Sequence, residues 1–115
     1  MFVEFPEVSN LEIKGNQVEL DLFLPENLLY FQGHFPGTAV LPGVVQIHWA
    51  ALWGQRWLPT GNHFLGLEQI KFHLPARPGD TLHLTLEWRS EKSQLYYRYI
   101  LSDRPVSSGR IRLNQ

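Results

Sequence analysis

Two imidazoles fourteen residues apart, His34 and His48, are the ionisable groups of the most constrained stretch of this sequence. His34 lies in Tyr30-Phe31-Gln32-Gly33-His34-Phe35-Pro36-Gly37, and His48 lies in the apolar run Val40 to Trp53. Gly33, Pro36, Gly37, Pro42 and Gly43 fix a tight path between them and leave little room for side-chain bulk. An imidazole ionises near neutral pH, so the chemistry on offer is general acid–base catalysis. A loop of this kind, feeding a helix N-terminus, reads as a site rather than a connector. The plainer alternative for His34 is a hydrogen-bonded loop histidine with no reaction to serve.

The elements that must hold these groups follow from periodicity. Leu11-Glu12-Ile13 and the alternating Val18 to Leu24 predict two strands joined by a turn at Lys14-Gly15-Asn16-Gln17. A helix is predicted from about Pro42, where proline suits the first turn, to about Trp57, ahead of Pro59-Thr60-Gly61-Asn62. Val44, Val45, Ile47, Trp49, Ala50, Ala51, Leu52, Trp53 and Trp57 make it apolar on nearly all sides, which predicts a wrapped, buried helix. His48 shares one of its faces with Val44, Ala51, Leu52 and Gln55. Strands are predicted again over residues 63–74, 81–91, 94–101 and 106–113, with a strong turn at Pro75-Ala76-Arg77-Pro78-Gly79-Asp80. The order β-β-α-β-β-β-β predicts a single α+β domain, residues 1–115, with a curved antiparallel sheet around one helix.

Composition narrows the function classes. Residues 1–55 hold six acids against Lys14 alone, a net of −5, and residues 56–115 hold nine bases against five acids, a net of +4. Arg77, Arg89, Arg98, Arg110 and Arg112 are candidates for meeting an acidic protein or a phosphate group. The bases are too sparse, and lack the aromatic motif, for nucleic-acid binding. No cysteine is present, which fits a reducing, cytoplasmic setting. His63, His73 and His83 fall on strands without metal-ligand clustering, so no metal site is expected. The start of the chain lacks the basic and then apolar order of a signal peptide, and the run Val40 to Trp53 is too short for a membrane span.

Gly33-His34-Phe35-Pro36-Gly37, followed by Val40-Leu41-Pro42-Gly43-Val44 at the mouth of a helix, resembles the signature of hotdog-fold (3R)-hydroxyacyl-acyl carrier protein dehydratases of the FabZ and FabA type. Lys71-Phe72, Pro75 and Pro78-Gly79-Asp80 are similar to that family's segment after the helix, so the likeness covers Phe31 to about Leu86. Among its branches, the short chain resembles the ApeI-like dehydratases of aryl-polyene biosynthesis.

The resemblance implies a hotdog fold and dehydration of a 3-hydroxyacyl thioester to the trans-2-enoyl thioester. It implies His34 as base, the Gly43 backbone N–H as donor to the thioester oxygen, and Phe35, Pro36, Gly37, Pro42 and Val44 along the substrate. Expected partners are an acyl carrier protein and a second subunit, in a homodimer or a heterodimer with a related dehydratase. No cofactor is expected beyond the phosphopantetheine arm that the substrate carries. His48 stands where the family has a Glu or Asp contributed by the other subunit, and no acid lies between Phe31 and Leu67 to replace it. Three readings stay open at that position. His48 is a working replacement, or it supports Gln46 or water in the role, or dehydration is lost and a thioesterase or a non-catalytic acyl-binding partner remains.

Overall fold

The computed structural model describes residues 1–35 and 37–115. The predicted order holds: β1 (Glu7–Lys14), β2 (Gln17–Phe23), α1 (Gly43–Trp57), β3 (His63–Phe72), β4 (Thr81–Arg89), β5 (Gln94–Leu101) and β6 (Arg104–Asn114). The strands form one antiparallel sheet in the order β1-β2-β4-β5-β6-β3. α1 thus carries the chain from beside one edge to the opposite edge, and it crosses the inner face packed on β4 and β5.

Alternation decides which face is inner. Val18, Leu20 and Leu22 of β2 oppose Leu86, Leu84 and Leu82 of β4, and all six are fully buried. Leu95, Tyr97 and Tyr99 of β5 with Ile111 and Leu113 of β6 continue that layer. α1 sets Trp49 and Ala50 against it, both fully buried. The rings of Tyr30, Trp49, Trp53 and Trp57 follow one another at centroid spacings of 6.2, 5.7 and 6.3 Å, a packing role for the helical tryptophans.

Gly54 lets α1 approach β5 closely, because a Cβ there would lie 2.3 Å from Leu95 Cδ2. Leu95 is fully buried in the core, so its side chain can yield only at the expense of the packing around it. Overpacking of this kind costs about 1–3 kcal/mol, against a gain of about 1 kcal/mol for alanine over glycine within a helix. Gly54→Ala is therefore expected to lower the urea midpoint with an unchanged slope; a raised midpoint would show that the helix can retreat freely.

Three expectations are corrected. α1 is not wrapped: Val44 is 72% and Leu52 39% exposed, and His48, Gln55 and Arg56 are exposed with them. The sheet covers one side of the helix, and the apolar stripe opposite is left open within the chain. β1 begins at Glu7 rather than Leu11, with a bulge between Ser9 and Glu12 around Asn10, whose φ is 53°. β6 begins at Arg104 and takes in Pro105, which a strand tolerates at its first residues. β3, at the other edge, is exposed or half-buried along its whole length, with Phe64, Leu65, Leu67 and Phe72 all exposed.

On the outer face of the sheet, His83 of β4 lies between two acids of β2. Its Nδ1 is 2.8 Å from Asp21 and its Nε2 is 2.9 Å from Glu19, so only the doubly protonated ring donates to both. The hydrogen bond to Asp21 raises the His83 pKa above 6.5 despite partial burial, and the hydrogen bonds from Asn10 and then His83 lower that of Asp21 below 3.8. A raised histidine contributes stability below 6.5 and loses it as pH climbs through the folded value; a lowered carboxylate loses its share as pH falls through its own. The cluster is half exposed, so its worth stays under about 1 kcal/mol. His83→Gln is expected to flatten the melting-temperature decline from pH 6 upward; an unchanged profile would put that decline elsewhere.

Candidate functional site

The loop ahead of α1 is built from the inside out. Phe31 is buried, and the Gln32 side chain donates to the carbonyls of Glu26 and Leu28 at 3.1 and 3.0 Å. Gly33 and Gly37 both take positive φ, 85° and 81°, and a Cβ at either would meet no described atom within 4 Å, so their role is backbone conformation rather than space. Between them His34 and Phe35 stand exposed, Phe35 at 82%. Thr38 closes the turn, with both its N–H and its hydroxyl donating to the Phe35 carbonyl.

The segment after β3 braces this loop from outside. Arg77 Nη1 donates to the Gly37 carbonyl at 3.2 Å, and the Leu41 N–H donates to the Ala76 carbonyl at 2.8 Å. The turn Pro75 to Asp80, read from sequence as punctuation, thereby fixes both ends of the stretch between His34 and the helix.

Pro42 is the N-cap of α1 and Gly43 its first residue. The Pro42 carbonyl accepts from the Val45 and Gln46 N–H groups, while the Gly43 and Val44 N–H groups meet no acceptor among the described residues. These are the orphan donors of a helix start, at the positive end of its dipole. A Cβ at Gly43 would lie 2.5 Å from the tip of the Phe72 ring at the end of β3, an exposed side chain with room to turn aside.

The structure sorts the candidate residues into three places. His34, Phe35 and Gly37 line a groove of about 460 Å³ with Arg77 and Glu26. Gly43 lines a second groove of about 290 Å³ with Leu41, Gln46 and Phe72. His48 and Val44 line neither and stand on the open stripe of α1. Pro36 lies outside the described residues. A single chain therefore does not bring His34 and His48 into one pocket.

Of the candidate arginines, Arg89 pairs with Glu87 at 2.9 Å, Arg112 lies 3.7 Å from Glu68, and Arg77 is committed to the loop. Arg98 and Arg110 border an outer-face groove of about 410 Å³ with Lys71 and Tyr96, away from all the candidate catalytic residues. Sequence reasoning passed over Ser107 and Tyr99, which meet Gln46 beneath the helix start. The available signal was a glutamine inside an apolar helix and a serine on the inner face of a strand.

Comparison with known proteins gives the family and the fold of the chain. A family model described as ApeI-like, ApeI dehydratase, matches residues 10–110. The 3-hydroxyacyl-[acyl-carrier-protein] dehydratase FabZ of Erythrobacter litoralis is 40% identical over 76 residues, covering 58% of this chain and 50% of the relative. The chain thus spans about half the length of that curated relative. A chain of the dehydratase heterocomplex ApeI:P from Xenorhabdus doucetiae superposes with a TM-score of 0.88 at 37% identity, over 96% of this chain and 98% of that one. Thioesterase superfamily member 2 from Mus musculus, 12% identical over 89% of this chain and 77% of that one with a TM-score of 0.64, shares the fold alone.

Proposed function

Because the chain belongs to the ApeI-like dehydratase family and has its α+β hotdog fold, we propose that it removes water from a 3-hydroxyacyl thioester borne by an acyl carrier protein. The observation that carries the reading is local: an exposed imidazole on a glycine-framed loop, and a helix-start amide at Gly43 that meets no acceptor among the described residues, are held by one brace, Ala76-Arg77. In this reading His34 takes the proton from C2, and the Gly43 N–H donates to the thioester oxygen as enolate-like charge develops there. The C3–O bond then breaks, the hydroxyl takes a proton and leaves as water, and the C2–C3 double bond forms. His48 supplies that proton or orients the water that relays it. The elimination is redox-neutral and needs no cofactor beyond the pantetheine arm of the thioester.

His48 reaches this site from a second subunit. The open stripe Val44–His48–Leu52 and the apolar edge strand β3 are surfaces that a solvated protein buries against a partner. A second copy, or a related chain as in the ApeI:P heterocomplex, would supply it. Mass spectrometry of a 3-hydroxyacyl-carrier thioester tests the reaction: loss of one water with the thioester intact is expected. Release of the free acid would overturn it in favour of a thioesterase, and binding without turnover in favour of an acyl-binding subunit.

A further inference from the structure

The Pro42–Gly43 junction is held from beneath by a polar side chain that the chemistry above does not use. Gln46, in the first turn of α1, is only 3% exposed. Its Nε2 donates back to the Leu41 carbonyl at 3.2 Å, and its Oε1 accepts from the Ser107 hydroxyl of β6. Its main-chain carbonyl accepts from the Tyr99 hydroxyl of β5 at 2.7 Å. Ser107 and Tyr99 are both fully buried. Burial pushes the Tyr99 hydroxyl well above its ordinary pKa of 10.0, so it stays a donor at any working pH.

These contacts close a ring. Leu41 is pinned on its N–H side by Ala76 and on its carbonyl side by Gln46, and the Pro42 carbonyl is held by the Val45 and Gln46 N–H groups. Pro42 and Gly43 lie between the two pinned ends, and the ring is fastened to β5 and β6 through Tyr99 and Ser107. Gln46 borders the same groove as Gly43. An apolar residue would fill this helix–sheet contact; a fully met polar network instead fixes direction as well as distance.

Resting on the dehydration reading, we propose that Gln46, Ser107 and Tyr99 are positioning residues that set where the Gly43 amide points. A misplacement of about 1 Å at a reacting group costs about a hundredfold in rate. The test uses Gln46→Met/Ser107→Ala, which removes both ends of one bond, and Tyr99→Phe, which removes a single hydroxyl. The double variant is expected to lose about 10- to 100-fold in kcat with KM within a few-fold. Its Gly43 amide resonance should move more than those of residues later in α1, and Ser107→Thr, which keeps the hydroxyl, should retain both wild-type kcat and that resonance.

A folded double variant with wild-type kcat, or a loss of kcat with the Gly43 resonance unmoved, would overturn the proposal. If the double variant does not fold, Tyr99→Phe decides on the same two readouts. If the wild-type protein dehydrates nothing, the dehydration reading fails, and the resonance arm still tests the positioning on its own.

Discussion

His34→Ala is expected to lower dehydration by roughly 10²- to 10⁴-fold, the usual contribution of a positioned general base, without altering the fold. The imidazole makes no hydrogen bond to any described residue, and the ring is exposed. The loop conformation is carried by Gly33, Gly37 and the Arg77 brace, none of which the substitution touches. Product formation should therefore fall while the melting temperature stays within about three degrees, since surface changes away from packing are worth within about 0.5 kcal/mol and each kcal/mol moves the midpoint of a small domain by about 4–8 °C. Full activity in a folded His34→Ala protein would remove the base from this loop.

His48→Ala carries the second large effect, about a hundredfold loss in kcat, again with the fold intact because the side chain stands on the open stripe of α1. His48→Gln separates the two roles left to the imidazole. An amide can hold a water molecule but cannot give up a proton near neutral pH. If His48 protonates the leaving hydroxyl directly, glutamine should be as poor as alanine; if it orients water, glutamine should recover most of the rate. Undiminished turnover by His48→Ala would mean that the helix contributes its amide and nothing more.

The pattern of what could be read from the sequence has a physical cause. β2, β4 and β5 were legible because each buries one face, so Val18-Leu20-Leu22 and Leu82-Leu84-Leu86 write the two-residue period directly into the chain. The start of β1 was not, because an edge strand exposed on both faces leaves no period to read. The helix was legible as a helix but not as half-open: Val44 and Leu52 look alike whether the strand beneath or a second chain covers them.

The site divides along the same line. The His34 loop and the Pro42-Gly43 helix start are consecutive in sequence and were found together. Gln46 was weighed only as an alternative at the position of His48, and its tie to the sheet stayed hidden, since its partners Tyr99 and Ser107 lie 53 and 61 residues away and only the sheet brings them near. The acids beside His83, 62 and 64 residues distant, were hidden for the same reason.

The claim on which the mechanism rests is that His34 of one subunit works with His48 of another. Co-expression of His34→Ala and His48→Ala chains, each expected to keep about one per cent of the wild-type rate or less on its own, measures this directly. In a mixed pair one site lacks both imidazoles and the other keeps both, so random pairing should return about a quarter of wild-type activity for a symmetric dimer. Recovery near that level is the expected result. If the mixture stays as inactive as its two parents while mixed dimers form, the two histidines belong to one chain and the shared site is wrong.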